Sequence, residues 1–225
     1  MGSMFPLERR VTVVCGHYGT GKTNLSINLA LDCARRGERV TLVDLDVINP
    51  YFRSADYADV LTDNGVRVVG PNFANTNLDT PSLPAAVKNI IAEESRVIVD
   101  VGGDDAGATT LGVYSRTLTD ADPDVIYVVN RYRSQTTHAD EAAQILREIE
   151  TTSHLRATCV ANNSHLKQDT TEATILGSMA FAQDVASATG LPLRFTTAPR
   201  RLDFTQLNKI PNIYPVDVLV RAPWE

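Results

Sequence analysis

Eight residues at the end of the first apolar run, Gly16-His17-Tyr18-Gly19-Thr20-Gly21-Lys22-Thr23, fit the spacing G-x-x-x-x-G-K-[ST]. The chemistry of that spacing is phosphate binding. Backbone N–H groups converge on an anion only where the chain turns tightly without side chains in the way, which Gly16, Gly19 and Gly21 permit. A helix opening at the loop adds the partial positive charge of its N-terminus. Lys22 is placed to bridge the β- and γ-phosphates of a nucleoside triphosphate, and the Thr23 hydroxyl to ligate Mg²⁺. Thr20 and Asn24 complete the candidate nucleotide contacts on this segment.

Two further apolar runs end in carboxylates: Val43-Asp44-Leu45-Asp46 and Val99-Asp100-Val101-Gly102-Gly103-Asp104-Asp105. A carboxylate closing a buried strand is costly unless a cation or donors meet it. Mg²⁺ beside the phosphate loop is such a partner. Asp100 fits a metal-side carboxylate acting through a coordinated water. Gly103, three residues on, fits a glycine whose N–H meets the γ-phosphate. Asp44 and Asp46 are expected to face different partners, one the metal shell and the other the attacking water. Asp104 and Asp105 read as caps of the following helix.

Positioning these groups requires alternating strands and helices. Strand-length apolar runs occur at Arg10–Cys15, Arg39–Val43, Val66–Val69, Arg96–Asp100, Asp124–Asn130, Arg156–Ala161 and Leu193–Phe195. Helical spacing occupies Thr23–Arg36, about Phe52 to Asn64, the stretch after Pro84 to Glu94, a segment beyond Gly107, His138–Glu150 and Glu172–Thr189. The rhythm predicts an α/β fold with a mostly parallel twisted sheet of about seven strands and helices on both faces. The glycine loop after the first strand makes it one of P-loop NTPase type. Ligands in such sheets bind beyond the carboxyl ends of the strands, where the suspicious residues cluster. Residues 1–9 read as a tag-like N-terminal segment and 10–225 as a single nucleotide-binding domain.

Composition sets limits on function. The 225 residues carry a net charge of −6, so no global basic field draws the chain to nucleic acid. Arg131, Arg133, Arg200 and Arg201 are candidates for a local basic patch and read more simply as solvated surface. The three cysteines, Cys15, Cys33 and Cys159, form no metal-spaced cluster and fit a reducing cytoplasm. No apolar run reaches membrane-spanning length.

The segments GHYGTGKT, VDLD and IVDVGGD together resemble the MinD/ParA/CobQ–CobB group of P-loop NTPases. The resemblance runs from about Val11 to Asn163. Within the group, the stretch from Asp44 through Asn49-Pro50-Tyr51-Phe52-Arg53 is similar to small bacterial members of uncharacterised role. The resemblance implies ATP binding, Mg²⁺-dependent hydrolysis, and a switch between free and nucleotide-clamped states. It implies that Asp46 orients the hydrolytic water and Asp100 supports Mg²⁺. Asn162 matches a family position that hydrogen-bonds the base, and its neighbour Asn163 is an alternative. No N-K-x-D guanine signature follows strand five or six, which favours ATP over GTP. His17 stands where many members carry a lysine that reaches across a nucleotide-sandwich dimer.

The leading expectation is an ATP-hydrolysing switch or maturation factor acting on a protein partner or as a homodimer. The alternative is an ATP-dependent small-molecule kinase or ligase resembling dethiobiotin synthetase or the cobyrinate amidation enzymes. Its substrate pocket would be built from Asn49–Arg53 and Pro71–Asp79. A third reading is an ATP sensor without turnover. The Pro-interrupted Leu207–Glu225 offers no basic amphipathic helix, which argues against membrane anchoring, and the acidic charge argues against DNA.

Overall fold

Runs rich in valine and isoleucine, such as Val11–Cys15 (β1), Val40–Asp44 (β2) and Asp124–Val129 (β5), are buried along their whole length. Continuous burial of β-branched residues is the mark of strands covered on both faces. The computed structural model describes residues 5–46, 57–70, 83–103, 105–134 and 136–220. The other strands are Val66–Val69 (β3), Arg96–Asp100 (β4), Cys159–Asn162 (β6), Leu193–Pro199 (β7) and Ile213–Val216 (β8). The helices are Lys22–Arg35 (α1), Ala58–Asp63 (α2), Leu83–Ala92 (α3), Asp105–Val113 (α4), Ser115–Asp120 (α5), Ala139–Ser153 (α6) and Glu172–Thr189 (α7).

Among the described residues, eight strands form one sheet in the order β3-β2-β4-β1-β5-β6-β7-β8, and every pairing is parallel. Alternation along β1 sends Val11, Val13 and Cys15 to one face and Val14 to the other. The first face packs on Val87, Ile90, Leu111, Leu118, Leu146 and Phe181, from α3 to α7. The second packs on Leu25, Ile27 and Leu29 of α1 and Leu61 of α2.

The sheet has one strand more than the sequence predicts. β8 contains Pro215 and lies at the sheet edge, where a missing N–H is tolerated. Of the helix predicted from Phe52, the described part is Ala58–Asp63. The Asn49–Arg53 and Pro71–Asp79 segments, and Asp104, lie outside the described residues, as does the end of the chain beyond 220.

The register places the site. Asp44 pairs with Asp100, and Val14 pairs with the same Asp100, so the ends of β2, β4 and β1 lie side by side. At the opposite end of the sheet, Asp124 accepts hydrogen bonds from the N–H groups of Glu8 and Arg9, each at 3.0 Å. Arg194 adds an ion pair at 2.6 Å.

Candidate functional site

The loop between β1 and α1 is held by its own carbonyls. The His17 carbonyl accepts from Thr20 N–H (3.3 Å), Thr20 Oγ1 (2.9 Å) and Lys22 Nζ (3.1 Å). Two residues from other strands' ends grip the next peptides. Arg133 Nε donates to the Gly19 carbonyl at 2.6 Å, and Asn163 Nδ2 donates to the Thr20 carbonyl at 2.7 Å. Gly21 caps α1 with φ 86°, a left-handed conformation that side chains resist. A Cβ there would also stand 2.4 Å from Asn163 Nδ2 and 2.7 Å from His165 Nε2. The chain and its neighbours both demand glycine.

The acidic strand ends converge on the same place. Asp44 is fully buried, and its Oδ1 accepts the Asp46 N–H at 2.9 Å. Asp100 is almost fully buried and accepts from Ser26 Oγ at 3.1 Å. Residues two apart on a regular strand share a face. The Asp44–Asp46 bond forms where the strand ends, and it carries the Asp46 carboxylate to a cavity wall beside Gly102. Gly103 closes over the loop. A Cβ on it would lie 2.6 Å from Tyr18 Cα and 2.7 Å from Lys22 Nζ.

A cavity of about 280 Å³ runs from this polar end to an apolar one. Lys22, Thr23, Asp46 and Gly103 line the first; Pro199, Val216, Val218 and Val220 line the second. Asn163, His165, Lys167 and Thr197 stand along its walls. A second cavity of about 670 Å³ lies across the loop and shares Tyr18, Gly19, Gly103 and Arg133 with the first. Gly16, His17, Asp105 and Glu148 also line it. Tyr18 is 52% exposed at the loop's crest.

Among the described residues, no three His, Cys, Asp or Glu side chains are grouped to hold a metal by themselves. Mg²⁺ beside a phosphate loop needs less, since it keeps waters and takes ligands from phosphate oxygens. The donors here, the Thr23 hydroxyl and the adjacent buried carboxylates Asp44 and Asp100, fit that hard, oxygen-seeking cation.

Two sequence-predicted contact residues have side chains that bond within the fold. Asn24 lines the cavity, but its amide holds the chain beyond β8. Nδ2 donates to the Asp217 carbonyl at 3.0 Å, and Oδ1 accepts from Leu219 N–H (2.8 Å) and Val220 N–H (3.2 Å). Asn162 is fully buried, donating to Ser178 Oγ at 2.9 Å and accepting from Ser164 Oγ at 2.7 Å. Asn163 is the asparagine at the cavity, and its Oδ1 accepts from Thr197 Oγ1 at 2.5 Å.

Sequence reading offered Arg133 only as a basic-patch candidate and missed His165, Lys167, Thr197 and the valine wall. The four arginines grouped by sequence do not act as one patch. Arg131 binds the Gly177 carbonyl, Arg200 pairs with Asp32 and Asp217, and Arg201 binds the Gln168 and Thr170 carbonyls. All three cysteines are free and buried, and burial pushes the Cys15 thiol up to about 12, which removes it as a nucleophile.

The all-parallel sheet, the loop closing β1 and the acidic ends of β2 and β4 define a P-loop NTPase fold. The chain belongs to the CobQ/CobB/MinD/ParA nucleotide-binding-domain family, whose sequence pattern matches residues 11–189. It is 51% identical over 47 residues to the antiactivator FleN of Pseudomonas aeruginosa, a match covering 21% of this chain and 16% of that one. Similar solved structures include the signal recognition particle 54 kDa protein of Aeropyrum pernix in complex with GDP (18% identity, 87% of this chain and 43% of that one, TM-score 0.55). Another is the cell division protein FtsY of Thermotoga maritima (18% identity, 88% and 65%, TM-score 0.56). The chain spans less than two thirds of each of these relatives. At such identities the structural likeness concerns the fold.

Proposed function

We propose that residues 10–225 form one domain that binds Mg·ATP in the 280 Å³ cavity and hydrolyses it slowly, as a switch read by a protein partner or a second copy. The observation carrying this reading is the cavity's polarity. The phosphate groups lie at one end, and the apolar end has no carboxylate among its described lining residues. Guanine is read through a carboxylate accepting its N–H donors, whereas adenine fits an apolar slot with an amide such as Asn163 nearby.

In this reading Lys22 turns from the His17 carbonyl to the β- and γ-phosphates, and the loop N–H groups hold the β-phosphate. Thr23, with Asp44 and Asp100 nearby, would hold Mg²⁺, which would supply charge neutralisation at the phosphate oxygens. Asp46 orients the attacking water, and the Gly103 N–H meets the γ-phosphate. Tyr18 and His17 present the loop's outer side to the partner. His17 lacks the lysine ammonium that many family members place at this position, so a lysine contact across a dimer is not available here.

The second cavity supports the other reading, a small molecule phosphorylated or activated beside Gly103. Among the described residues no helix is long and apolar enough to cross a membrane. The free, buried cysteines favour the cytoplasm as the compartment. The test is Asp46→Ala. ATP binding should persist while turnover falls by about 100-fold or more, the scale of losing a water-positioning group. Unchanged turnover would reject the role of Asp46. Turnover that appears only with an added metabolite would favour the enzyme reading.

A further inference from the structure

His165 lies just past β6, in the wall of the cavity. Its Nδ1 accepts the Lys167 N–H at 3.1 Å. A ring nitrogen that accepts carries no proton, so the imidazole hydrogen sits on Nε2. Nε2 is buried and has no hydrogen-bond partner among the described residues. Buried donors are almost always paired, and one left orphaned beside a cavity points to an acceptor brought by a ligand. Asn163, the other group pressed against Gly21, donates one of its N–H groups to the Thr20 carbonyl.

We propose that His165 is a ligand-contacting residue whose Nε2–H donates to an oxygen of the bound nucleotide, at the α-phosphate or the ribose. The proposal rests on the reading that a nucleotide fills this cavity. Its place supports the assignment, because the ring abuts Gly21 on the phosphate side and shares the wall with Thr197 toward the apolar end. Both ligand oxygens are acceptors, so a neutral N–H suits either. Burial first, then the charges of Arg133 and Lys167, push the His165 pKa down to about 4, which keeps the ring neutral. His165 belongs to no motif, so no spacing in the sequence marks this role.

The test compares His165→Phe, which keeps a ring but loses the donor, with His165→Gln, which returns an N–H, by calorimetric titration of the whole chain with Mg·ATP. Phenylalanine should weaken binding about 10-fold, and glutamine should recover part of it. Because phenylalanine also removes the Nδ1 acceptor of the Lys167 N–H, the nucleotide-free His165→Phe protein should melt slightly below wild type yet stay fully folded at the titration temperature. If the acceptor is a ribose hydroxyl, the 10-fold difference vanishes with 2′- or 3′-deoxy-ATP; if it is the α-phosphate, it persists. Should phenylalanine not be accommodated, His165→Leu carries the same comparison. Equal ATP affinity in wild type and the donor-less variant overturns the proposal alone. No ATP binding by wild type overturns the nucleotide reading, and this proposal with it.

Discussion

Arg133 and Gly19 are joined across the phosphate loop, with the guanidinium Nε donating to the glycine carbonyl at 2.6 Å. The bond ties the turn after β5 to the loop after β1, and those two strands are neighbours in the sheet. It holds a peptide whose orientation decides where the loop's N–H groups point.

Arg133→Ala should therefore weaken nucleotide binding about 3- to 10-fold, the scale of one charge-assisted hydrogen bond used for pre-organisation. Arg133→Lys should not restore it, because an ammonium cannot reproduce the planar donor. Calorimetric titration with Mg·ATP checks both. Equal affinity in Arg133→Ala would show that the loop holds its shape without this bond.

Asn24 acts on the other end of the cavity. Its three hydrogen bonds hold residues 217–220, the segment that carries Val218 and Val220 into the apolar wall. Asn24→Ala should raise the KM for ATP several-fold and leave kcat nearly unchanged, the pattern of lost ground-state binding. Folding stability should fall by roughly 1–2 kcal/mol. A drop in kcat at constant KM would contradict this positioning role.

Asp124 makes stability depend on pH. Burial by itself raises its pKa, but the Arg194 guanidinium and the N–H groups of Arg9 and Glu8 outweigh that and hold it below the usual value. A carboxylate with a depressed folded pKa contributes stability that is fully present above its unfolded value, about pH 4, and is lost as pH falls through the lower folded value. Asp124→Asn should cost on the order of 3 kcal/mol at pH 7, because Arg194 is left without its buried partner. The difference from wild type should shrink below pH 4. Denaturant unfolding at pH 7 and pH 3 checks it, and a constant difference would exclude the ion pair as its source.

What the sequence disclosed and what it hid have physical causes. The loop and the ends of β2 and β4 were legible because their chemistry lies in contiguous residues following valine-rich runs. Arg133, His165 and Thr197 were not, because the sheet order β1-β5-β6-β7 brings them together across the fold. The choice between Asn162 and Asn163 turned on a single step. Adjacent residues leave an extended chain on opposite sides, so one asparagine meets Ser178 and the other meets the phosphate loop. β8 was hidden by Pro215, which reads as a breaker until the strand is known to lie at an edge.

The central claim is that this cavity holds Mg·ATP through Lys22. Calorimetric titration of the whole chain with Mg·ATP, beside Lys22→Ala, tests it most directly. Wild type should bind Mg·ATP saturably at one site per chain. Lys22→Ala should lose at least about 100-fold in affinity, equivalent to roughly 2.7 kcal/mol, with an unchanged melting temperature. Absence of binding in wild type, or equal affinity in Lys22→Ala, would contradict it.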